Sequence, residues 1–249
     1  MYIYLCLGGQ KTMKTVLHKA NTRGYANHGW LDSHHTFSFA GYHDPSRVHF
    51  GMLRVLNDDI VKGGMGFGQH PHENMEIISI PLKGALQHGD NTGGHGIIRS
   101  GEVQIMSAGS GIAHSEKNAS LKEDVNFLQI WVFPKERDIA PRYDQKEFPA
   151  DARLNTLQTV VSPEKSNGSS LWINQDAWFS LGNLKKGTAI EYVLNSKDHG
   201  VYAFIIEGAS TLGGQKLSRR DGLGVWEADK ISVSADEDTE ILLMEVPMN

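Results

Sequence analysis

Short alternations of apolar and polar residues recur along the chain, and each closes on a turn signal. Residues 52–56 run into Asn57-Asp58-Asp59, 76–82 into Lys83-Gly84, 103–106 into Ser107-Ala108-Gly109, and 126–133 into Pro134. A period of two, rich in β-branched and aromatic residues, predicts a strand in each case. The pattern breaks at 141–151, where Arg142, Asp144, Lys146 and Glu147 lie between Pro141 and Pro149, which predicts a connector. Strand-like runs resume at 171–173, 189–194, 201–206, 224–226, 231–233 and 241–246, and the polar, glycine-bearing stretch 162–170 predicts a loop. No segment sustains a helical period. The pattern thus predicts an all-β chain of two domains, 13–146 and 147–249. Residues 1–12 form an extension ahead of the first strand-like run at 15–17.

Composition sharpens this picture. Glycine supplies 27 of 249 residues and proline only 8, a balance that suits many tight turns rather than a flexible linker. The formal net charge is −5 and no Lys/Arg cluster occurs, so direct nucleic-acid binding is not expected. A single cysteine, Cys6, excludes an internal disulfide and fits a reducing, cytoplasmic setting. Residues 1–9 lack the basic leader and cleavage site of a signal peptide, and no apolar run approaches the roughly 18 residues of a membrane span.

Chemistry concentrates in the first half. Of twelve histidines only His199 lies beyond residue 114. His70-Pro71-His72 and His114-Ser115-Glu116 share one spacing, and residues i and i+2 of a strand face the same side. Two such strands facing each other across a barrel would bring three imidazoles and a carboxylate to one ion. That set suits Fe(II), Mn, Co, Ni, Cu or Zn with coordination positions left open. An isolated His-x-His pair also arises by chance on surfaces. Here Gly66 and Gly68 precede the first pair, Gly109 and Gly111 precede the second, and Glu76, Gly84, Gly101 and Asn118 flank them.

With those flanks the sequence resembles the two cupin motifs, and more closely the pirin family, especially its bacterial pirin-like quercetinases. The strings that carry the likeness are Gly24-Tyr25-Ala26-Asn27-His28-Gly29-Trp30-Leu31-Asp32-Ser33, His35-Thr36-Phe37-Ser38-Phe39, Arg54-Val55-Leu56-Asn57-Asp58-Asp59 and Gly66-Phe67-Gly68-Gln69-His70-Pro71-His72. Gln104-Ile105-Met106-Ser107-Ala108-Gly109, Gly111-Ile112-Ala113-His114-Ser115-Glu116, Gln129-Ile130-Trp131 and Pro141-Arg142-Tyr143 continue it. The resemblance implies a bicupin, two double-stranded β-helix (jelly-roll) barrels in one chain. It places one divalent metal, Fe(II) foremost, on His70, His72, His114 and Glu116 of the first barrel. The second barrel, without His-x-His or His-x-Glu, is a degenerate cupin kept for packing and pocket closure. In the broader cupin pattern the ligand would instead be Glu76, which is expected here to point inward and orient a histidine or water, its alternative being a solvated strand-end carboxylate.

The implied activity is a metal-dependent dioxygenase that cleaves flavonols such as quercetin with O₂ and releases carbon monoxide, with Glu116 as the base. The alternative is a metal-binding redox sensor or regulatory protein-binding partner. A cupin isomerase or sugar-binding protein fits the fold but not the motifs. Phe67, Met106 and Phe39 are candidates for an apolar pocket or simply core. Trp131 and Phe133 read as barrel wall, and either His34 or His35 could face the pocket. His28, His43, His49, His88, His95 and His199 lie near turns without an assigned role. Nucleotide loops, nucleophile elbows and Cys-x-x-Cys pairs are absent.

Overall fold

The computed structural model describes residues 13–165 and 168–249; the extension at 1–12, Cys6 included, lies outside them. Its first half carries β1 (Lys14–His18), β2 (Gly24–Asn27), β3 (Leu31–His35), β4 (Leu53–Val61), β5 (Gly66–His72), β6 (Glu76–Lys83), β7 (Ala85–Asp90), β8 (His95–Arg99), β9 (Glu102–Ser107), β10 (Ile112–Asn118), β11 (Val125–Val132) and β12 (Arg142–Glu147). The second half carries β13 (Leu157–Ser162), β14 (Leu171–Trp172), β15 (Trp178–Leu184), β16 (Ala189–Val193), β17 (His199–Glu207), β18 (Ala209–Leu212), β19 (Gln215–Ser218), β20 (Gly222–Trp226), β21 (Lys230–Ala235) and β22 (Thr239–Pro247). The helical elements among the described residues are two short 3₁₀ turns, and none is long and apolar enough to cross a membrane.

These strands build four layers. A seven-stranded sheet, β12-β9-β6-β11-β4-β3-β2, is covered on one face by a four-stranded sheet, β5-β10-β7-β8. The second half repeats the scheme with β1-β20-β17-β22-β15-β13-β14 under β16-β21-β18-β19. The two large sheets share one core, in which Phe37, Phe50, Leu56, Ile78 and Ile130 pack with Phe179, Tyr202, Phe204, Leu242 and Met244. Strand parity divides the residues between faces. In β6, Ile78 and Ile80 face that shared core while Ile77 and Ser79 face the first barrel's interior.

Three expectations are corrected. The strand expected to end at Asn57-Asp58-Asp59 runs on to Val61, because Asn57 and Asp59 turn into a polar barrel interior rather than into a turn. The expected connector at 141–151 contains β12, which pairs with β9 in register Arg142↔Ser107 to Glu147↔Glu102. Strand β1 pairs with β20, so residues 14–18 join the sheet of the second half. The turn before β10 fits its glycine: Gly109 has φ +48° and a β-carbon there would strike the Ile139 carbonyl oxygen.

Candidate metal centre and its cavity

Antiparallel pairing of β5 with β10 sets His114 opposite His70 and Ile112 opposite His72. The ring centroids of His70, His72 and His114 are separated by 4.8, 4.5 and 4.9 Å. One nitrogen of each lies within 4.8 Å of the others. Burial, reinforced by the neighbouring imidazoles, lowers the His72 pKa to about 4 and the His114 pKa to about 2, so both are neutral near pH 7 with free lone pairs. His70 Nδ1 donates to the Gly68 carbonyl oxygen at 2.8 Å, which leaves Nε2 as the ring atom available to coordinate. Both His114 nitrogens are buried without a partner. A buried polar atom without a partner costs roughly 1–3 kcal/mol. Three convergent imidazoles, with the orphaned atoms of His114 among them, are a donor set that a divalent transition metal takes.

Glu116 stands one step away. A bulge between His114 and Glu116 places it opposite Phe67, and it joins His114 and His88 in a second group of donors within 4.8 Å. The expected four residues are therefore divided between two groups that share His114. The Glu116 carboxyl is buried, with Oε1 2.9 Å from Ser79 Oγ and Oε2 accepting from Gln129 Nε2 at 2.5 Å. Ser79 Oγ also lies 2.9 Å from Gln129 Oε1. A hydroxyl has one hydrogen, so Ser79 donates to either Glu116 Oε1 or Gln129 Oε1 at any moment. Burial raises the Glu116 pKa, against hydrogen bonding by Ser79 and the nearby His88 and His70.

His88, expected to have no role, is a buried part of the site. Its Nε2 lies 2.9 Å from Asp90 Oδ2, its ring stacks on Tyr143 at 4.4 Å, and its Nδ1 is buried without a partner. Burial disfavours the Asp90 carboxylate, but bonds from Thr92, His88 and Gly94 outweigh it and hold the pKa down. Asp90 accepts from His88 Nε2–H and so fixes the ring with Nδ1 on the side away from it. The signal was present in the sequence: His88-Gly89-Asp90 has the same i, i+2 spacing as the two recognised pairs.

Glu76 does not orient the site. It lies on β6, across the turn that ends β5, so parity with His70 and His72 does not carry over. Its Oε2 accepts from Ser107 Oγ at 2.8 Å and from the Asn174 backbone N–H at 3.2 Å, in the seam with the second half. Met106 packs with Ile77, Ala108 and Ile112 in a small core cluster rather than in the cavity wall. Phe67 and Phe39 do line the cavity, a space of about 450 Å³ that opens beside His70, His72 and Glu116. Aromatic rings grip it: Trp30 meets Phe67 edge-on at 5.2 Å, Trp131 meets Phe39 at 5.3 Å, and Trp131 also meets His72 at 4.9 Å. His35 faces this cavity and His34 does not line it; Trp131, expected as plain wall, does. The volume falls in the range of small-molecule sites, roughly 300–1,000 Å³.

A family model described as Pirin matches residues 16–132, and one described as Quercetinase C-terminal cupin domain matches 159–246. The chain is 44% identical over 232 residues to the quercetin 2,3-dioxygenase of Escherichia coli K12, covering 93% of this chain and 98% of that one. The chain belongs to the pirin family. Its bicupin fold is shared with the crystal structure of the E. coli bacterial pirin YhhW in complex with nickel(II), at TM-score 0.88 and 44% identity over 94% of this pirin and 99% of that chain. A putative quercetin 2,3-dioxygenase of Pseudomonas aeruginosa is 42% identical over 225 residues, or 90% of this pirin and 95% of the relative.

Proposed function

We propose that this pirin is a metal-dependent dioxygenase that opens flavonols such as quercetin with O₂ and releases carbon monoxide. The observation that carries the reading is an aromatic-walled cavity that opens on His70 and His72, which converge with a His114 whose ring nitrogens are buried without a partner. The quercetin 2,3-dioxygenase names of its relatives support the substrate class. His70, His72 and His114 would hold one divalent ion, Fe(II) foremost, with Glu116 as the anionic ligand. Such an ion supplies Lewis acidity toward a ligand oxygen and, when redox-active, electrons for O₂.

The chain's own residues do the rest. Trp30, Phe67, Phe39 and Trp131 bind a flat ring system and exclude water from it. Glu116 takes the proton of the flavonol 3-hydroxyl, and Ser79 and Gln129 hold its carboxyl in place. One O₂ enters and one carbon monoxide leaves per ring opened. The chemistry belongs to the barrel of the first domain, 13–146 without β1, while β1 and the second domain, 147–249, pack against it. A cytoplasmic setting follows from the reading of Cys6 as a lone thiol.

Anaerobic loading with Fe(II), followed by quercetin and O₂, tests the reading through the carbon monoxide evolved. Release in proportion to quercetin consumed is the expected result. Quercetin loss without carbon monoxide, or at the same rate in metal-free protein, would mark simple autoxidation and favour the regulatory alternative.

A further inference from the structure

The cavity contains a second polar constellation that the proposed reaction does not use. Strands β3 and β4 pair so that Ser33 stands directly opposite Asp59 and His35 opposite Asn57. All four side chains line the cavity and all four are buried. Ser33 Oγ makes a short hydrogen bond to Asp59 Oδ1 and lies 2.8 Å from His35 Nε2. His35 Nδ1 and Asn57 Oδ1 have no partner. These two orphaned atoms and the carboxyl form one face of a two-by-two patch.

A buried acid cluster in the second half shows what a purely structural arrangement looks like. There Glu245 accepts from His199 Nδ1 and the Asn195 backbone N–H, both at 2.8 Å, on one oxygen, and from Tyr192 Oη at 2.6 Å and Asn195 Nδ2 at 2.9 Å on the other. That carboxylate has donors on both oxygens, and Glu245 does not line the cavity. Asp59 has one side-chain donor, Ser33, and stands on a cavity wall. Buried polar groups left open toward a cavity find their partners on ordered water or on a ligand that displaces it.

We propose that Asp59, Ser33, His35 and Asn57 form a hydroxyl-recognition subsite, in which ionised Asp59 accepts a hydrogen bond from a ring hydroxyl of an aromatic ligand. The inference rests on the aromatic-ligand reading above and deepens it, because it makes the cavity select ring-hydroxylated ligands. Asn57 Oδ1 and His35 Nδ1 take the ligand's neighbouring polar atoms. Burial raises the Asp59 pKa to about 7, with Ser33 opposing and Asp58, Glu116 and Asp32 adding to it. Those carboxylates come from its own strand, from β10 and from β3; His35 of β3 reaches Asp59 through Ser33, and burial keeps it neutral with a pKa lowered to about 4. Asp59 therefore ionises as pH rises through neutrality.

Unsubstituted phenol is the direct probe, since it stays neutral well above that pH, with a pKa of about 10 like that of tyrosine. Calorimetry on the full chain should show phenol affinity rising through about pH 7, and Asp59→Asn should abolish the rise and bind roughly tenfold or more weakly at pH 8. Ser33→Ala should move the midpoint of the rise upward, a shift that a merely structural role would not produce. No phenol binding, a flat profile in the native chain, or the same rise in Asp59→Asn would overturn the subsite. Quercetin itself separates the two readings. If Asp59→Asn leaves KM unchanged for both quercetin and the flavonol that lacks its other ring hydroxyls, the subsite fails while the dioxygenase reading stands. A phenol response lost in Asp59→Asn, in a protein that releases no carbon monoxide, keeps the subsite and ends the dioxygenase reading.

Discussion

Glu116 and Glu76 are both buried carboxyls on barrel strands, yet their surroundings give them different work. Glu116 shares His114 with the imidazole triad, whereas Glu76 is held by Ser107 and Asn174 in the seam. Glu116→Gln should therefore weaken metal retention, measured by elemental analysis after desalting, and Glu76→Gln should leave it unchanged. The reverse pattern would restore the broader cupin ligand set. Glu76 should show itself in stability instead. Burial raises its pKa to about 7 in the folded chain, from the ordinary 4.5. Below about pH 4.5 both folded and unfolded states are protonated and the group is neutral to stability. Between about 4.5 and 7 the unfolded chain ionises first, so stability falls as pH rises, by up to about 3 kcal/mol in all. Glu76→Gln should flatten this decline in urea titrations and be more stable than the native chain at pH 8.

At the scale of elements, the turn into β10 governs where His114 points. Gly109→Ala would place a β-carbon in a left-handed conformation and against the Ile139 carbonyl oxygen. It should cost at least about 1 kcal/mol and loosen metal binding together with stability, read by thermal unfolding with and without metal. Among the strands legible in the sequence, β6, β9, β11, β17 and β22 have one face on the shared core and carry alternating or continuous apolar runs that end near their observed limits. Two of the strands that escaped have polar inward faces. In β3, Ser33 and His35 replace the expected apolar positions, and in β12, Tyr143 and Gln145 turn in while charges alternate outside. The same substitution of polar for apolar hid Asn57, Asp59 and Gln129 as site residues. The imidazole pairs remained legible because the i, i+2 rule depends on pleat alone; the β5–β10 bulge and the split of Glu116 from the triad are pairing properties that spacing does not encode.

For the whole molecule, the two halves are joined by a common core and by a charged seam in which Asp58 meets Arg23 at 3.4 Å and Arg220 at 3.2 Å. Phe204 is buried in that core, so Phe204→Ala should cost about 3–5 kcal/mol and lower a single unfolding transition for both halves. Two separate transitions in the native chain would show that the halves fold independently. The central claim is that one cavity in the first half joins O₂ to a flavonol. Turnover of quercetin under isotopically labelled O₂, followed by mass spectrometry, tests it most directly. The Fe(II)-loaded chain should give a ring-opened product carrying both labelled oxygen atoms and an equal amount of unlabelled carbon monoxide, and His70→Ala/His72→Ala should give neither. Labelled product without carbon monoxide, or the same yield from the double variant, would contradict the account.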